Sequence, residues 1–432
     1  NFSMSDKRFR LPLDNAAKIY PAVRNRKWSN VFRLSVTLKD AVDPIILQSA
    51  LAVTIKRFPS MAMKLDKNFF WYYLEEISVV PKVRPDTPSP CSIMPLSEIK
   101  TCAFRVLYGK NRIAAEFFHS ITDGNGGLIF LKTLTAEYLL QKENVEIPFI
   151  DGVLDRAGKP DKNESEDSFL KYHGKVAGSR QEETAYRIQG TKEPDGLRNI
   201  ITGVADLNSA LAASKTRSVS LTTLLVSVMI YSIMEIQNKN VPDKSKQKPI
   251  KVLVPVNLRK YFKSSSFRNF VLYVTPGINA SMGDYALEEI IQIIHHQMKI
   301  QVTEKQMKAR VTANVKTEQN RFLRILPLFM KNLGMKAAYS MIGEKKSCIT
   351  MSNLGRVTLP EEMDRFIERF DFTLGVQSRS HNNCGIISYG GRLYINMIRN
   401  IKESELESLF FENLKSLGVD VDIEDNREEL GV

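Results

Sequence analysis

The residues best suited to chemistry lie in one short segment, His119-Ser-Ile-Thr-Asp123-Gly124, which places an imidazole close to a carboxylate. Residues 111–118, directly before it, are apolar and aromatic, as in a buried strand, and residues 128–140 after it carry apolar side chains at helical spacing. An imidazole, with an ordinary pKa near ~6.5, is the usual side chain for accepting a proton from a hydroxyl, amine or thiol at neutral pH. The sequence therefore predicts a strand, loop and helix unit that presents His119 for acyl transfer.

The glycine-rich stretch 123–127 reads Asp-Gly-Asn-Gly-Gly and predicts a loop between that strand and that helix. Gly124 lacks a Cβ, so a backbone there can approach a ligand closely, although a simple turn would need the same residue. Taken alone, the six residues have a structural alternative, which is a core or capping histidine beside a turn aspartate. Further segments of the chain decide between the two.

The pattern H-x-x-x-D-G after a strand resembles the active-site motif of the CoA-dependent acyltransferase superfamily. Its members include chloramphenicol acetyltransferase, plant BAHD acyltransferases, condensation domains of peptide synthetases and alcohol acetyltransferases. Many carry two consecutive histidines; here Phe118 stands at the first position, and His119 matches the second, generally catalytic one. The resemblance implies that His119 is the general base in a ternary complex with no acyl-enzyme intermediate.

A second match follows in the same order along the chain. Residues 254–260, Val-Pro-Val-Asn-Leu-Arg-Lys, and then Asn269 resemble the BAHD segment in which V-D-x-R precedes G-N. In that family the motif aspartate faces away from the substrate and pairs with this arginine. The resemblance therefore implies that Asp123 pairs with Arg259, and we assign both residues, and Asn269, to structural roles.

Two C-terminal segments extend the likeness. Residues 371–375, Asp-Phe-Thr-Leu-Gly, are similar to the D-F-G-W-G signature, which implies a structural role at the site for Asp371. Ser352 and Asn353 lie in an S-N-x-G stretch that is more like the alcohol acetyltransferase branch. They are candidates for oxyanion stabilisation or substrate positioning, with a purely structural turn as the alternative. Residues 13–21 also read like that branch, so the likeness spans the chain.

The length of 432 residues exceeds what one hydrophobic core usually organises, so two domains are expected. Strands alternate with helices in both halves, which indicates an α/β fold of the α+β sandwich type. The resemblance implies two chloramphenicol-acetyltransferase-like domains with a tunnel between them and His119 at their interface. We predict an N-terminal domain over residues 1–170 that carries the motif, a crossover linker over 171–195, and a C-terminal domain over 196–432.

Charge and cysteine usage narrow the ligand classes. The net charge of +13 is compatible with a solvated basic surface or with attraction for a phosphorylated ligand such as CoA. Nucleic acid is disfavoured as a partner because the basic residues do not interleave with aromatic residues in a recognisable module. The four cysteines have no C-x-x-C spacing, so neither a metal site nor a disulfide framework is predicted.

Residues 221–234 form the longest apolar run, but it is short and contains hydroxyl side chains. It predicts a buried helix with Ser220 as its N-cap, and no membrane span is expected. The N-terminal residues lack the apolar core of a signal peptide, so cytoplasmic localisation is the default expectation.

The function these patterns favour is an acyl-CoA-dependent O- or N-acyltransferase of the alcohol acetyltransferase type. Acyl-CoA would be the donor substrate, a small-molecule alcohol or amine the acceptor, and no cofactor would be permanently bound. Two alternatives stay open. One is a condensation-like enzyme that takes its acyl group from an acyl or peptidyl carrier protein, and the other is an inactive relative that serves as a binding or scaffold protein. Hydrolase and dehydrogenase functions are disfavoured because neither G-x-S-x-G nor G-x-G-x-x-G occurs at the expected places.

Overall fold

The computed structural model describes residues 9–14, 16–23, 29–176, 183–319, 326–338, 346–376 and 380–426. The strands in these ranges are β1 (Arg10–Pro12), β2 (Val31–Leu38), β3 (Met63–Lys67), β4 (Tyr72–Glu76), β5 (Arg84–Pro85), β6 (Phe104–Tyr108), β7 (Arg112–Phe118), β8 (Asn199–Asp206), β9 (Ile250–Asn257), β10 (Val271–Val274), β11 (Gly277–Ile278), β12 (Ile349–Arg356), β13 (Ile367–Leu374), β14 (Asn382–Tyr389), β15 (Arg392–Arg399) and β16 (Val421–Asp425). The helices are α1 (Ile19–Val23), α2 (Pro44–Thr54), α3 (Leu96–Ile99), α4 (Gly124–Glu143), α5 (Ser168–Tyr172), α6 (Leu207–Thr216), α7 (Leu221–Asn240), α8 (Leu287–Gln301), α9 (Glu304–Gln319), α10 (Leu328–Ala338), α11 (Glu361–Asp364) and α12 (Glu405–Ser416).

The N-terminal sheet has the strand order β13-β2-β7-β6-β5, and helix α4 packs against β2 and β7. Phe117 of β7 meets Phe130 of α4 edge to face, with the ring centroids 5.7 Å apart. Directly opposite residues Arg33, Glu116 and Arg105 form a buried charged row across β2, β7 and β6. If one strand slipped by one residue, its charged side chain would move to the opposite face of the sheet and lose its partners. The row therefore fixes the register that positions the end of β7.

The C-terminal sheet has the order β10-β9-β12-β14-β15-β8-β16, with β11 beside β9. Strand β12 runs parallel to both β9 and β14, while the other described pairs in this sheet are antiparallel. Helix α7 packs against α8 on one side and α12 on another, and it also contacts β9. A small third sheet, β1-β4-β3, lies in the N-terminal part of the chain. The mixed α/β architecture predicted from the sequence is therefore present.

Strand β13 joins the two large sheets. It belongs to the C-terminal part of the chain but pairs with β2, and it also contacts β14 and β15. A Cβ built on Gly385 of β14 would lie 2.3 Å from the carbonyl oxygen of Phe372, so only glycine allows this close approach. Sheet membership thus departs from chain order at β13, and the predicted boundaries at 170 and 196 stay a prediction.

Two predicted elements differ in the structure. The stretch 123–127, expected as a loop, is helical from Gly124 onward, because Asp123 caps α4 by accepting from the backbone N–H of Gly126. The amphipathic sequence from about residue 284 to 309 predicts one long helix, but the structure has two helices, α8 and α9, which are separated at Val302.

Helix α7 is long and apolar enough to cross a membrane, but 72% of its most apolar stretch is buried inside the protein. Ser220 accepts a hydrogen bond from the backbone N–H of Thr223 at 3.1 Å, as its predicted capping role requires. The structure thus places α7 as a core helix of the C-terminal part.

Candidate active site

His119 directly follows β7 of the N-terminal sheet, and its side chain contacts Asn269, which lies just before β10 of the C-terminal sheet. Its backbone N–H donates to the carbonyl of Asn30 at 2.9 Å, which continues the pairing of β7 with the β2 segment. Phe118, at the position of the first histidine in many superfamily members, is fully buried in the N-terminal core. His119, by contrast, is a partly exposed residue. The strand end therefore directs Phe118 into the core and His119 away from it.

Aromatic rings border the imidazole. Tyr20 stacks on it with ring centroids 4.8 Å apart and an interplanar angle of 18°, and Phe32 is tilted against it at 4.9 Å. Burial among these side chains lowers the pKa of His119 below its ordinary value, and a hydrogen bond with Asn269 and the charge of Asp123 partly oppose this shift. The lowered pKa favours the neutral imidazole, which is the form that can accept a proton.

Asn269 determines which nitrogen of His119 carries the proton. Its side-chain nitrogen donates to the carbonyl of His119 at 2.8 Å and to Oδ2 of Asp14 at 3.3 Å, so its orientation is fixed by two acceptors. Its Oδ1 then lies 3.3 Å from Nδ1 of His119 and must accept the N–H of that nitrogen. The proton thus resides on Nδ1, which leaves the lone pair on Nε2.

Asp14 supports Asn269 from a fully buried position. Its Oδ1 accepts from the backbone N–H of Ala17 at 2.7 Å, and Oδ2 lies 3.7 Å from Nε of Arg268. Burial raises the pKa of Asp14 to about 6, and the Arg268 guanidinium only partly opposes this rise. A chain of polar contacts thus runs from Asp14 through Asn269 to His119, and joins three distant segments of the sequence.

The carboxylate of Asp123 faces Arg259. Its Oδ2 accepts from Nη1 of Arg259 at 2.8 Å and from the backbone N–H of Phe270 at 2.9 Å. The remaining N–H groups of Arg259 donate to the side chain of Asn257 and to the carbonyls of Ser266 and Arg268, so all five are used. The pairing implied by the sequence resemblance is present, and it ties α4 to the segment that carries Asn269.

Gly126 and Gly124 differ in what surrounds them. A Cβ on Gly126 would lie 2.2 Å from Oγ1 of Thr122 and 2.3 Å from the carbonyl oxygen of Phe267. This glycine therefore allows the start of α4 to touch the segment before Asn269. A Cβ on Gly124 would meet the side chain of Leu354 at 2.6 Å, so the end of β12 approaches the start of α4.

Ser352 and Asn353 lie on β12, near that approach. The Asn353 side chain donates to Oγ1 of Thr222 at 3.2 Å and accepts from the backbone N–H of Gly355 at 2.8 Å. Gly355 has a φ of +78°, and β12 shifts its register against β14 between Asn353 and Arg356, so Asn353 is part of an irregularity of the strand. Ser352 makes no side-chain hydrogen bond to the residues that the structure describes. Asn353 is thus engaged in structure, and their predicted role toward an oxyanion stays a prediction.

Asp371 is not brought into this group. It pairs with Arg369 at 2.7 Å on the same strand, and Arg369 also binds Glu424. Neighbouring side chains of a strand point to opposite faces, and it is Phe372 that meets Phe32 beside the imidazole. In the structure Asp371 forms an ion pair on the face of β13 opposite Phe372, and its predicted structural role at the site stays a prediction.

Tyr20, Phe32 and Asp14 were not predicted as site residues. Asp14 and Tyr20 fall within residues 13–21, whose likeness to the alcohol acetyltransferase branch was the available signal. Asn269 was assigned to structure, whereas its side chain contacts the imidazole directly. Over the described ranges, no group of three or more His, Cys, Asp or Glu side chains could hold a metal ion.

Comparison with known proteins shows a likeness of fold. No family model and no curated protein matches the sequence. Among solved structures, TRI101 of F. graminearum in complex with coenzyme A and deoxynivalenol has a TM-score of 0.64 at 10% identity, over 93% of this chain and 96% of that chain. TRI3 trichothecene 15-O-acetyltransferase from Fusarium sporotrichioides has a TM-score of 0.61 at 12% identity, over 94% of each chain.

The wax ester synthase/diacylglycerol acyltransferase from Marinobacter aquaeolei VT8 is similar at a TM-score of 0.54 and 12% identity, over 94% of this chain and 100% of that chain. At such identities the likeness is one of fold. It extends over nearly the whole chain, and it confirms the predicted two-domain fold of CoA-dependent acyltransferases. The predicted tunnel and the roles of the site residues stay predictions.

Proposed function

We propose that this chain transfers an acyl group from acyl-CoA to the hydroxyl or amine of a small molecule, with Nε2 of His119 as the general base. The observation that carries the proposal is the contact between Nδ1 of His119 and Oδ1 of Asn269, which leaves the basic lone pair on Nε2. The fold likeness to TRI3, an O-acetyltransferase, and to TRI101 with bound coenzyme A supports the choice of reaction and donor.

In the proposed reaction, donor and acceptor bind together. Nε2 of His119 accepts the proton as the acceptor oxygen or nitrogen attacks the thioester carbonyl, and the imidazolium then returns it to the leaving CoA sulfur. The stacked Tyr20 ring stabilises the imidazolium through its π face while the charge exists. Negative charge develops on the carbonyl oxygen, and the Ser352 hydroxyl is the proposed donor to it because Asn353 is engaged elsewhere.

The test is release of free CoA. Purified protein is incubated with a panel of acyl-CoA thioesters and a mixed panel of alcohols and amines, and thiol release and acylated products are followed by absorbance and mass spectrometry. We expect acceptor-dependent CoA release with a matching product. A parallel reaction with acyl-loaded carrier protein decides between donors, since faster turnover there would favour the condensation-like alternative. No turnover with either donor would contradict the proposal and favour an inactive binding protein.

The dependence of kcat/KM on pH reports on His119. Protonated His119 cannot accept a proton, so activity falls as pH drops through its pKa in the folded protein. Since burial lowers that pKa from 6.5, half-maximal kcat/KM on the acid side is expected below pH 6.5. The measurement is kcat/KM across a pH series in constant ionic strength buffers. An acid limb centred above pH 6.5 would show that His119 is not desolvated as described.

Asn269 is a positioning residue whose loss affects the chemical step. In Asn269→Ala the Nδ1–H of His119 loses its acceptor, and the proton can shift to Nε2. A hydrogen bond that acts on a developing charge contributes about 1.5–3 kcal/mol, so kcat is expected to fall roughly ten- to a hundredfold while KM changes little.

The matched control is Asn199→Ala. Asn199 is equally buried and bonds Glu193 at 2.8 Å, in β8 of the C-terminal sheet. This variant should keep the wild-type kcat. A fall in kcat of the same size in both variants would show that the loss comes from general destabilisation and not from the tautomer of His119.

A further inference from the structure

Five large apolar side chains are exposed together at one place on the surface. Phe69 and Phe70 lie at the tip between β3 and β4, and Phe329, Met330 and Leu333 lie on α10; we call this group the tip surface. The exposed fractions of Phe69, Phe329 and Leu333 are 67%, 70% and 71%. Apolar side chains of this size are common singly on a soluble surface, but a cluster of them indicates an interaction site.

Backbone and side-chain contacts hold the two parts of the tip surface together. The backbone N–H of Leu328 donates to the carbonyl of Phe69 at 2.9 Å. Asn68 accepts from the backbone N–H groups of Phe70 and Trp71, which shapes the tip. These contacts hold the β3–β4 tip against α10, and the polar backbone groups named here are satisfied within the protein. The apolar side chains project outward from this unit.

On the tip surface a charged side chain is buried, whereas apolar side chains are exposed. Lys331 of α10 is buried, with its ammonium 3.3 Å from the centroid of the Trp71 ring and donating to the carbonyl of Phe70. Its neighbour Phe329 projects outward instead. In a helix whose only task is to cover a core, the lysine would point to solvent and the phenylalanine inward. The arrangement thus presents apolar side chains to a partner.

Exposed lysines lie on both parts of the tip surface. Lys336 on α10 and Lys67 beside the tip are exposed, and Asp66 is the acidic residue next to the tip. Exposed aromatic and aliphatic side chains with cationic neighbours match the interface of an anionic bilayer, where the rings enter the headgroup region and the lysines contact phosphate.

We propose that the tip surface docks this protein on the surface of a membrane that contains anionic phospholipid. The contact is peripheral. Phe69, Phe329 and Leu333 enter the interfacial region of the bilayer, and the exposed lysines, Lys67 and Lys336, bind headgroup phosphates. This is distinct from a transmembrane span and independent of the proposed acyl transfer. It places the β3–β4 tip and α10 against the lipid.

The experiment is flotation of the full chain with sized vesicles. One set consists of phosphatidylcholine, and the other contains one third phosphatidylserine. Binding is expected to the anionic set, weaker binding to the neutral set, and a decrease as salt is raised, because headgroup attraction is screened. The triple variant Phe69→Ser, Phe329→Ser, Leu333→Ser should bind the anionic vesicles about tenfold or more weakly.

The matched control replaces exposed apolar side chains elsewhere. Ile45→Ser with Met282→Ser changes residues that are 81% and 78% exposed, outside the tip surface, and should leave vesicle binding unchanged. Circular dichroism and thermal unfolding of each variant show whether it is folded.

Three outcomes would overturn the proposal. They are no binding to anionic vesicles by the folded wild type, equal binding by the folded triple variant, and an equal loss in the control variant. Light scattering measures the oligomeric state and so tests whether a second copy of the chain covers the tip surface. A dimer that the triple substitution converts to a monomer, together with no vesicle binding, would assign the tip surface to self-association instead.

Discussion

Replacement of His119 by alanine is expected to lower kcat/KM for acyl transfer by about a hundred- to ten-thousandfold, the usual contribution of a general base. The imidazole lies in an aromatic environment, with Tyr20 stacked on one face and Phe32 beside it. A base from solvent could replace the imidazole only by entering the same aromatic surroundings. The fall should therefore appear in kcat, measured by CoA release at saturating acyl-CoA.

The control for this prediction is His296→Ala. His296 is exposed on α8, and its Nδ1 contacts the carbonyl of Gln292 within the same helix, so its loss should leave kcat at the wild-type value. Thermal unfolding of His119→Ala should stay close to that of wild type, since His119 is a partly exposed residue. Turnover that survives in a folded His119→Ala variant would reject His119 as the base.

The parts of the site that the sequence predicted are those within one local unit. Residues 112–118 form a strand and residues 128–140 belong to a helix, and the segment between them contains both His119 and Asp123. The start of α4 was missed because three glycines favour a loop by intrinsic propensity. The side chain of Asp123 caps the first turn and overrides that propensity.

Contacts that join distant segments could not be predicted from local patterns. Asp14 and Asn269 are 255 residues apart in the chain, and nothing in the periodicity of either segment indicates that they share a hydrogen bond. The same limit applies to β13, which pairs with β2 more than 300 residues away in the chain and is approached closely by Gly385 of β14. The resemblance to a family supplied the pair of Asp123 with Arg259, which spacing and periodicity do not contain.

Asp123→Ala is expected to give the largest loss of stability at this site, a decrease of about 3–5 kcal/mol in the free energy of unfolding, as for one partner of a buried ion pair. Asp123 and Arg259 have side chains that are 2% and 10% exposed. The substitution leaves the guanidinium buried without its carboxylate and removes the acceptor for the backbone N–H of Phe270. Urea unfolding followed by circular dichroism measures the change.

The matched control is Asp243→Ala. Asp243 also accepts from a backbone N–H, that of Ser245, and pairs with a lysine, Lys246, but both partners of this ion pair are at least half exposed. Because water screens exposed ion pairs and they contribute little to stability, its replacement should cost far less than that of Asp123. Similar losses in the two variants would show that the Asp123 pair is not the connection we describe.

The effect of Asp123→Ala on activity follows from the same contacts. Phe270 and Arg268, which flank Asn269, are held by Asp123 and by the Arg259 that Asp123 pairs with. Release of this segment moves the amide that keeps the proton of His119 on Nδ1, so kcat should fall even where the variant is folded.

A second substitution, Arg259→Met, removes the unpaired guanidinium, so the double variant should be more stable than the sum of the two single losses predicts. It should not regain kcat, because the segment around Asn269 is still without its anchor, and recovery of both quantities together would contradict this coupling.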